Sequence, residues 1–291
     1  AQLVRQPRRT PQWKALMTPL TLVATDLDHT FLGADQRPSE LNTHSMFAAA
    51  EHGAAVVFAT GRPLRWLDLL EVFTDVNPTV IASNGAVTYD LRNHRVISDT
   101  PFPIDVITDV VNDIASELPE AKFSLEEAQR CCVEPGFDRV DHGRPVTHQG
   151  PIHEFLTPDS RPVKMLVRAF GIPTEELFEI VDGLVDGRVS TTFSVQLDDG
   201  LVELAPIGVS KGVALSATAE QLGVDLADAA AFGDMPNDLS MLRLVSHPFV
   251  VSNAHRRVLQ EGFPVIGHHD TSAVGHAILD LLDGRQPATV S

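Results

Sequence analysis

Apolar residues cluster in short runs that alternate with longer amphipathic stretches, most clearly over the first 86 residues. Residues 20–26, 54–60 and 79–83 are short runs bounded by turn-forming residues, the mark of buried strands. Between the first two, helical spacing predicts a helix over Glu40–His52, with Ser39 as N-cap and Gly53 just past its end. Strands alternating with helices argue for parallel pairing through helical crossovers. Residues 31–38, which include Gly33 and Pro38, keep neither period and predict an irregular excursion beside the first strand.

The pattern changes after Ser83-Asn84-Gly85-Ala86. A hairpin-like stretch with Asn93 near its turn precedes a helix expected near 104–118 and a Pro- and Gly-punctuated region to about 162. Strands are predicted over 163–170, 188–197 and 201–206, with a helix near 174–184. From Val209 the first pattern returns, with helices near 210–222, 237–245, 255–261 and 272–283. The fold class is therefore α/β: a doubly wound, Rossmann-like parallel-sheet core with an inserted α/β domain. The core is discontinuous (20–86 and 207–285), the insertion covers 87–206, and residues 1–19 and 286–291 form an N-terminal extension and a C-terminal tail. A length of 291 residues is consistent with two domains.

The chemistry concentrates where apolar runs end. The first run empties into Asp26 and Asp28, spaced to share one face, with Thr30 following. Carboxylates at that edge stand where open α/β sheets bind ligands. Ala59-Thr60-Gly61-Arg62 follows the second run, and Ser210-Lys211-Gly212 opens a helical stretch. Gly233-Asp234-Met235-Pro236-Asn237-Asp238 follows the apolar run 229–232. Singly, each segment has a plain structural use as a turn, a helix cap or a solvated charge.

Together, in this order, the segments resemble the four motifs of the haloacid dehalogenase superfamily of phosphohydrolases, specifically its Cof-type branch, over about residues 20–283. The resemblance implies an aspartyl-phosphate formed on Asp26, with Asp28 as acid and base. It implies Mg²⁺ held by the carboxylates of Asp26 and Asp234 and the backbone carbonyl of Asp28, with Asn237 and Asp238 supporting the metal shell. Thr60, the backbone around Gly61, Lys211, Arg62 and Asn84 are the expected phosphate contacts. Arg62 has two open readings, a substrate contact or a partner for a carboxylate across the cleft. His29 stands where the family most often carries glycine; it either meets the leaving group or the cap, or packs beside the flap formed by 31–38.

The insertion matches the αβ cap of Cof-type phosphatases, so substrate choice is expected there, near 123–133 and 188–198, facing Trp66 and Ser83–Ala86 of the core. The implied activity is Mg²⁺-dependent hydrolysis of a small phosphorylated metabolite, such as a sugar phosphate or a phosphorylated cofactor or precursor. The alternatives are a sugar phosphomutase of the same superfamily and a non-catalytic phosphometabolite sensor. A receiver-like module is opposed by length, because it leaves the insertion unexplained.

Charge narrows the partners. With 22 Lys and Arg against 39 Asp and Glu, a formal charge of −17 repels nucleic acid and anionic membranes, so neither is an expected partner. Oligomeric state is not legible. Cys131 and Cys132 are adjacent and poorly placed for a mutual disulfide, which points to a reducing, cytoplasmic setting with both thiols packed as small hydrophobes. No apolar stretch approaches the roughly 18 residues of a membrane span. The segment after Arg5, Arg8, Arg9 and Lys14 is interrupted by Asp26 and needed as a strand, so no signal peptide is expected. His268-His269-Asp270 and Asp141-His142 lack metal-ligand spacing and read as surface loops.

Overall fold

The first three apolar runs become adjacent strands β1 (Leu22–Thr25), β2 (Ala55–Ala59) and β3 (Thr79–Ala82) in a computed structural model, which describes residues 19–137 and 147–290. Helix α1 (Glu40–Glu51) joins β1 to β2; the Ser39 hydroxyl accepts the Asn42 N–H, the capping bond that the sequence predicts. The hairpin β4 (Val87–Asp90) and β5 (Arg95–Asp99) follows directly.

The next elements are α2 (Ile104–Glu117), β6 (Lys122–Glu126), β7 (Cys131–Val133), β8 (His148–Gln149), β9 (Lys164–Arg168), α3 (Thr174–Val185), β10 (Val189–Thr192) and β11 (Leu201–Pro206). The chain then returns through α4 (Lys211–Leu222), β12 (Ala229–Gly233), α5 (Leu239–Leu242), β13 (His247–Val251), α6 (Arg256–Leu259), β14 (Val265–Ile266) and α7 (Ala273–Leu282).

These strands form two sheets. The larger has the order β14-β13-β12-β1-β2-β3-β4-β5, parallel except at β4 and β5. Both faces of its central parallel strands are buried. Val23, Val56, Phe58, Val80 and Phe232 pack under α1 and α7, while Leu22, Ala24, Val57, Ile81 and Ala231 pack under α4, α5 and α6. Burial on both sides explains why its strands read as unbroken apolar runs.

The smaller sheet has the order β10-β11-β9-β6-β7-β8 and obeys a different rule. Phe123, Leu125, Met165, Val167, Val202 and Leu204 point to α2 and α3, whereas Glu126, Lys164, Leu166, Arg168, Leu201 and Glu203 look into a cleft against the larger sheet. In β6, β9 and β11 period-two alternation puts a hydrophobic core on one side and most of the charged residues on the other.

Three boundaries differ from those expected. The hairpin 87–99 pairs with β3 and belongs to the larger sheet, so the insertion starts near residue 100, not at 87. The stretch before 162 holds β6, β7 and β8; the pattern Lys-Phe-Ser-Leu-Glu of β6 alternates too evenly to stand out as an apolar run. The tail from 286 returns to the sheet edge, where the Val290 N–H donates to the Val265 carbonyl at 2.8 Å. Residues 1–18 of the predicted extension and the Asp141-His142 pair lie outside the described residues. No helix among the described residues is long and apolar enough to cross a membrane.

Candidate active site

Strand ends and helix starts deliver the acidic residues to one place. Asp26 follows β1, Asp234 follows the neighbouring strand β12, and the register Thr25 to Phe232 keeps both at the same sheet edge. Carboxylate oxygens of Asp26, Asp234 and Asp238 all lie within 4.8 Å of one another, and all three residues are buried. Lys211, the first residue of α4, extends its ammonium to Asp26 Oδ1 at 2.5 Å and to Asp238 Oδ1 at 2.6 Å. Burial pushes the Asp26 carboxyl up to about 8 against the pull of Lys211, and burial beside Asp26 and Asp238 raises Asp234 as well.

Each neighbour has an identifiable task. Asp238 Oδ2 accepts the backbone N–H groups of Asp234 and Met235, both at 2.9 Å, which closes the turn after β12 and leaves Asp238 to orient the group. That turn needs a glycine at 233, because a Cβ there would strike the Asp238 side chain. The Thr30 hydroxyl donates to Asp234 Oδ1 at 3.0 Å; this residue was visible only as the last letter of the first motif.

By charge the donor set suits a divalent cation. Three buried carboxylates face one ammonium, and Asp26 and Asp234 keep oxygens not spent on backbone donors. An oxygen-lined, net negative nest of this kind fits a hard cation such as Mg²⁺.

The second motif forms the adjoining edge. Thr60 is fully buried, its Oγ1 accepts the Arg62 N–H at 3.0 Å, and its own O–H remains to donate. Gly61 lines the cleft, and its carbonyl accepts from Lys164 Nζ at 2.9 Å. Arg62 takes the second of its two readings: Nε meets Asp28 Oδ2 at 2.8 Å and Nη2 meets Asp28 Oδ1 at 2.5 Å, with Gln36 Oε1 also at 2.5 Å. Gln36, from the excursion 31–38, thus reaches the site.

Asn84 departs from the expected phosphate contact. Its amide donates to Glu203 and accepts from Asn237 Nδ2 at 3.1 Å, so its side chain bridges the two sheets. Glu203 and Lys164 are the residues that sequence reasoning missed here, while Ser194 lies within the lining expected near 188–198. Lys164 Nζ lies 3.0 Å from Glu203 Oε1, and the Ser194 hydroxyl donates to the same oxygen at 2.6 Å. Glu203 is buried, yet its carboxyl stays below the ordinary range, because the charge of Lys164 and the donors Ser194 and Asn84 outweigh desolvation. A polar residue alternating with apolar ones on β11 was the only available signal.

His29 adopts a left-handed backbone (φ 57°), the conformation that a glycine accepts at no steric cost and that explains the family's usual residue. Its ring meets His269 edge-on at 5.5 Å, and its carbonyl accepts from Asn253 Nδ2 at 2.8 Å. His269 is not the surface residue expected: it is buried, and its Nδ1–H donates to the Leu32 carbonyl at 2.7 Å. Cys131 and Cys132 are buried free thiols, and burial pushes Cys132 up to about 11, which keeps it an inert packing group.

Both walls enclose a cleft of about 390 Å³, lined by Asp26, Asp28, Arg62 and Asp234 on one side and by Lys164, Arg168 and Glu203 on the other. The profile of haloacid dehalogenase-like hydrolases matches residues 23–278. The chain belongs to that family. It bears out the resemblance carried by the four motifs, and membership together with relatives named as phosphatases makes this hydrolase an enzyme of the phosphoric monoester hydrolase class.

Among its relatives is the HMP-PP phosphatase of Serratia proteamaculans (strain 568), 29% identical over 273 residues that cover 88% of this chain and 93% of that protein. The putative phosphatase YxeH of Bacillus subtilis (strain 168) is 25% identical, covering 90% of this chain and 98% of its own. The fold is shared with the subclass IIB sugar phosphatase BT4131, at a TM-score of 0.77 and 18% identity over 90% of this chain and 98% of that one.

Proposed function

We propose that this hydrolase is a Mg²⁺-dependent phosphatase acting on a small phosphorylated metabolite through an aspartyl-phosphate on Asp26. The substrates named for its relatives, HMP-PP and a sugar phosphate, support a metabolite among phosphorylated sugars, cofactors or their precursors. The observation that carries the reading is the convergence of Asp26, Asp234 and Asp238 within 4.8 Å, beside the Lys211 ammonium, at a cleft deep enough for a small ester.

When bound, Mg²⁺ would be held by Asp26, Asp234 and the Asp28 backbone carbonyl and would supply positive charge for the phosphate oxygens. Asp26 is the nucleophile: its oxygen forms the bond to phosphorus while the ester oxygen leaves. Lys211 orients that carboxylate and opposes the burial that favours its protonated form, the bound cation adding to that pull, and together with Thr60 and the Gly61 backbone it stabilises charge on the transferring group. Asp28 gives a proton to the departing alkoxide and later takes one from the water that cleaves the aspartyl-phosphate. For that exchange Arg62 must share or release its bidentate hold, so Arg62 and Gln36 set the position of Asp28. The smaller-sheet module acts as the cap, and Lys164, Glu203 and Asn84 pin it over the cleft to exclude water.

Phosphate release from p-nitrophenyl phosphate and a panel of phosphate esters tests this. Turnover is expected with Mg²⁺ and not with EDTA, and Asp26→Asn is expected to lose at least about a thousandfold in kcat. Turnover that survives EDTA, or that Asp26→Asn retains, overturns the reading.

A further inference from the structure

The smaller sheet presents four charged residues to the cleft, Glu126, Lys164, Arg168 and Glu203, next to Leu166 and Leu201. Three of them have opposite charges at hand, through Arg65 to Glu126 at 2.6 Å and Lys164 to Glu203 at 3.0 Å. Arg168 does not. It is only 6% exposed, its guanidinium makes no hydrogen bond or ion pair with any of the described residues, and its Nε is a buried donor without an acceptor. The Phe170 ring, 5.2 Å from its Cζ, steadies the guanidinium and offers no oxygen to receive its N–H groups. A buried cation left in this state is costly unless something arrives to pair with it.

A second observation points the same way. Lys122 on β6 stands directly opposite Arg168 in the antiparallel register, on the same face, and its ammonium also has no partner among the described residues. Like charges facing each other across strands repel. In a chain with 39 acidic residues against 22 basic ones carboxylates are not scarce, yet no described one pairs with either cation, and Glu203, the acidic residue diagonal to Arg168 across β11, is held by Lys164, Ser194 and Asn84. Lys164, on the same strand as Arg168, touches the Gly61 carbonyl beside the proposed phosphate site. Four residues further along β9, about 13 Å at strand rise, stands Arg168, with Leu166 between them.

We propose that Arg168, flanked by Lys122, is a second anion subsite. The substrate is then a phosphate ester that carries a further carboxylate or phosphate at the end remote from the scissile group, with its carbon skeleton over Leu166 and Leu201. The proposal rests on the phosphatase reading above and names its substrate class. A planar guanidinium with unspent donors suits either anion, because both accept two parallel N–H groups.

Three hexitol-scale esters test it: sorbitol 6-phosphate with a neutral end, 6-phosphogluconate with a carboxylate, and mannitol 1,6-bisphosphate with a phosphate. The wild-type enzyme is expected to favour at least one of the anion-bearing esters by about tenfold or more in kcat/KM, and the arm that wins identifies the anion. Arg168→Gln is expected to bring that ratio below about two, Arg168→Lys to recover part of it, and Lys122→Ser to lower it by roughly threefold. A wild-type ratio near one for both esters, or a ratio that survives Arg168→Gln, overturns the subsite. Calorimetric binding of the same esters to Asp26→Asn reads the subsite without turnover. Preference in binding with no hydrolysis of any ester by the wild type upholds the subsite and overturns the phosphatase reading.

Discussion

On the larger-sheet wall of the cleft, Lys211 bridges Asp26 and Asp238, Thr30 serves Asp234, and Asp238 holds the turn that carries Asp234. On the opposite wall stands Arg168, with Lys122 opposite it in the strand register, and neither is paired with a carboxylate among the described residues. The first wall is pre-organised for a group that every substrate shares, and its charges are held in place before anything binds. The second wall keeps donors unspent, which is how a surface discriminates between ligands. Between them runs a seam, Lys164, Glu203, Ser194 and Asn84, where the two sheets exchange hydrogen bonds.

The comparison breaks most visibly at Lys211. Removing the ammonium strands two buried carboxylates, so Lys211→Met in EDTA is expected to lose about 4 kcal/mol of stability, read from urea denaturation. A loss below about 1 kcal/mol would mean that the wall is not wired as described.

The seam is sharpened by pH. Glu203 has a folded-state pKa below its ordinary 4.5, so the stability it supplies is fully present above that value and disappears as pH falls through the folded one. Glu203→Gln is expected to be less stable than the wild type by about 3 kcal/mol at pH 7, with the gap narrowing below pH 4.5 in denaturation curves. A gap that widens on acidification would contradict the assignment.

The smallest effect belongs to the rim. Because His29 sits at φ 57°, His29→Ala is expected to be less stable than His29→Gly by about 1 kcal/mol, measurable as a difference in melting temperature. Equal stability would remove the conformational reason for the family's glycine at this position.

Legibility followed burial. The larger sheet was readable because strands covered on both faces must be apolar throughout, and the residues just beyond them stood out as the places where that rule stops. β6 to β8 were not readable because β6 alternates polar and apolar residues over only five positions and β7 and β8 are three and two residues long, too short to separate from a punctuated loop. The hairpin 87–99 was assigned to the wrong domain for a related reason. Its local pattern shows that it is a hairpin and says nothing about which sheet edge it joins.

The amino-acid order by itself determined the α/β alternation, the aspartates proposed as catalytic and their motif partners, since each depends on a local period or a short spacing. Only the tertiary structure decided that Arg62 holds Asp28, that Asn84 bridges to Glu203, and that Arg168 is left without a hydrogen-bond or ion-pair partner among the described residues. Those facts join residues 34 to 119 positions apart, or rest on a neighbour's absence. Pairing of side chains is a property of distance after folding, and one-dimensional order carries no measure of it.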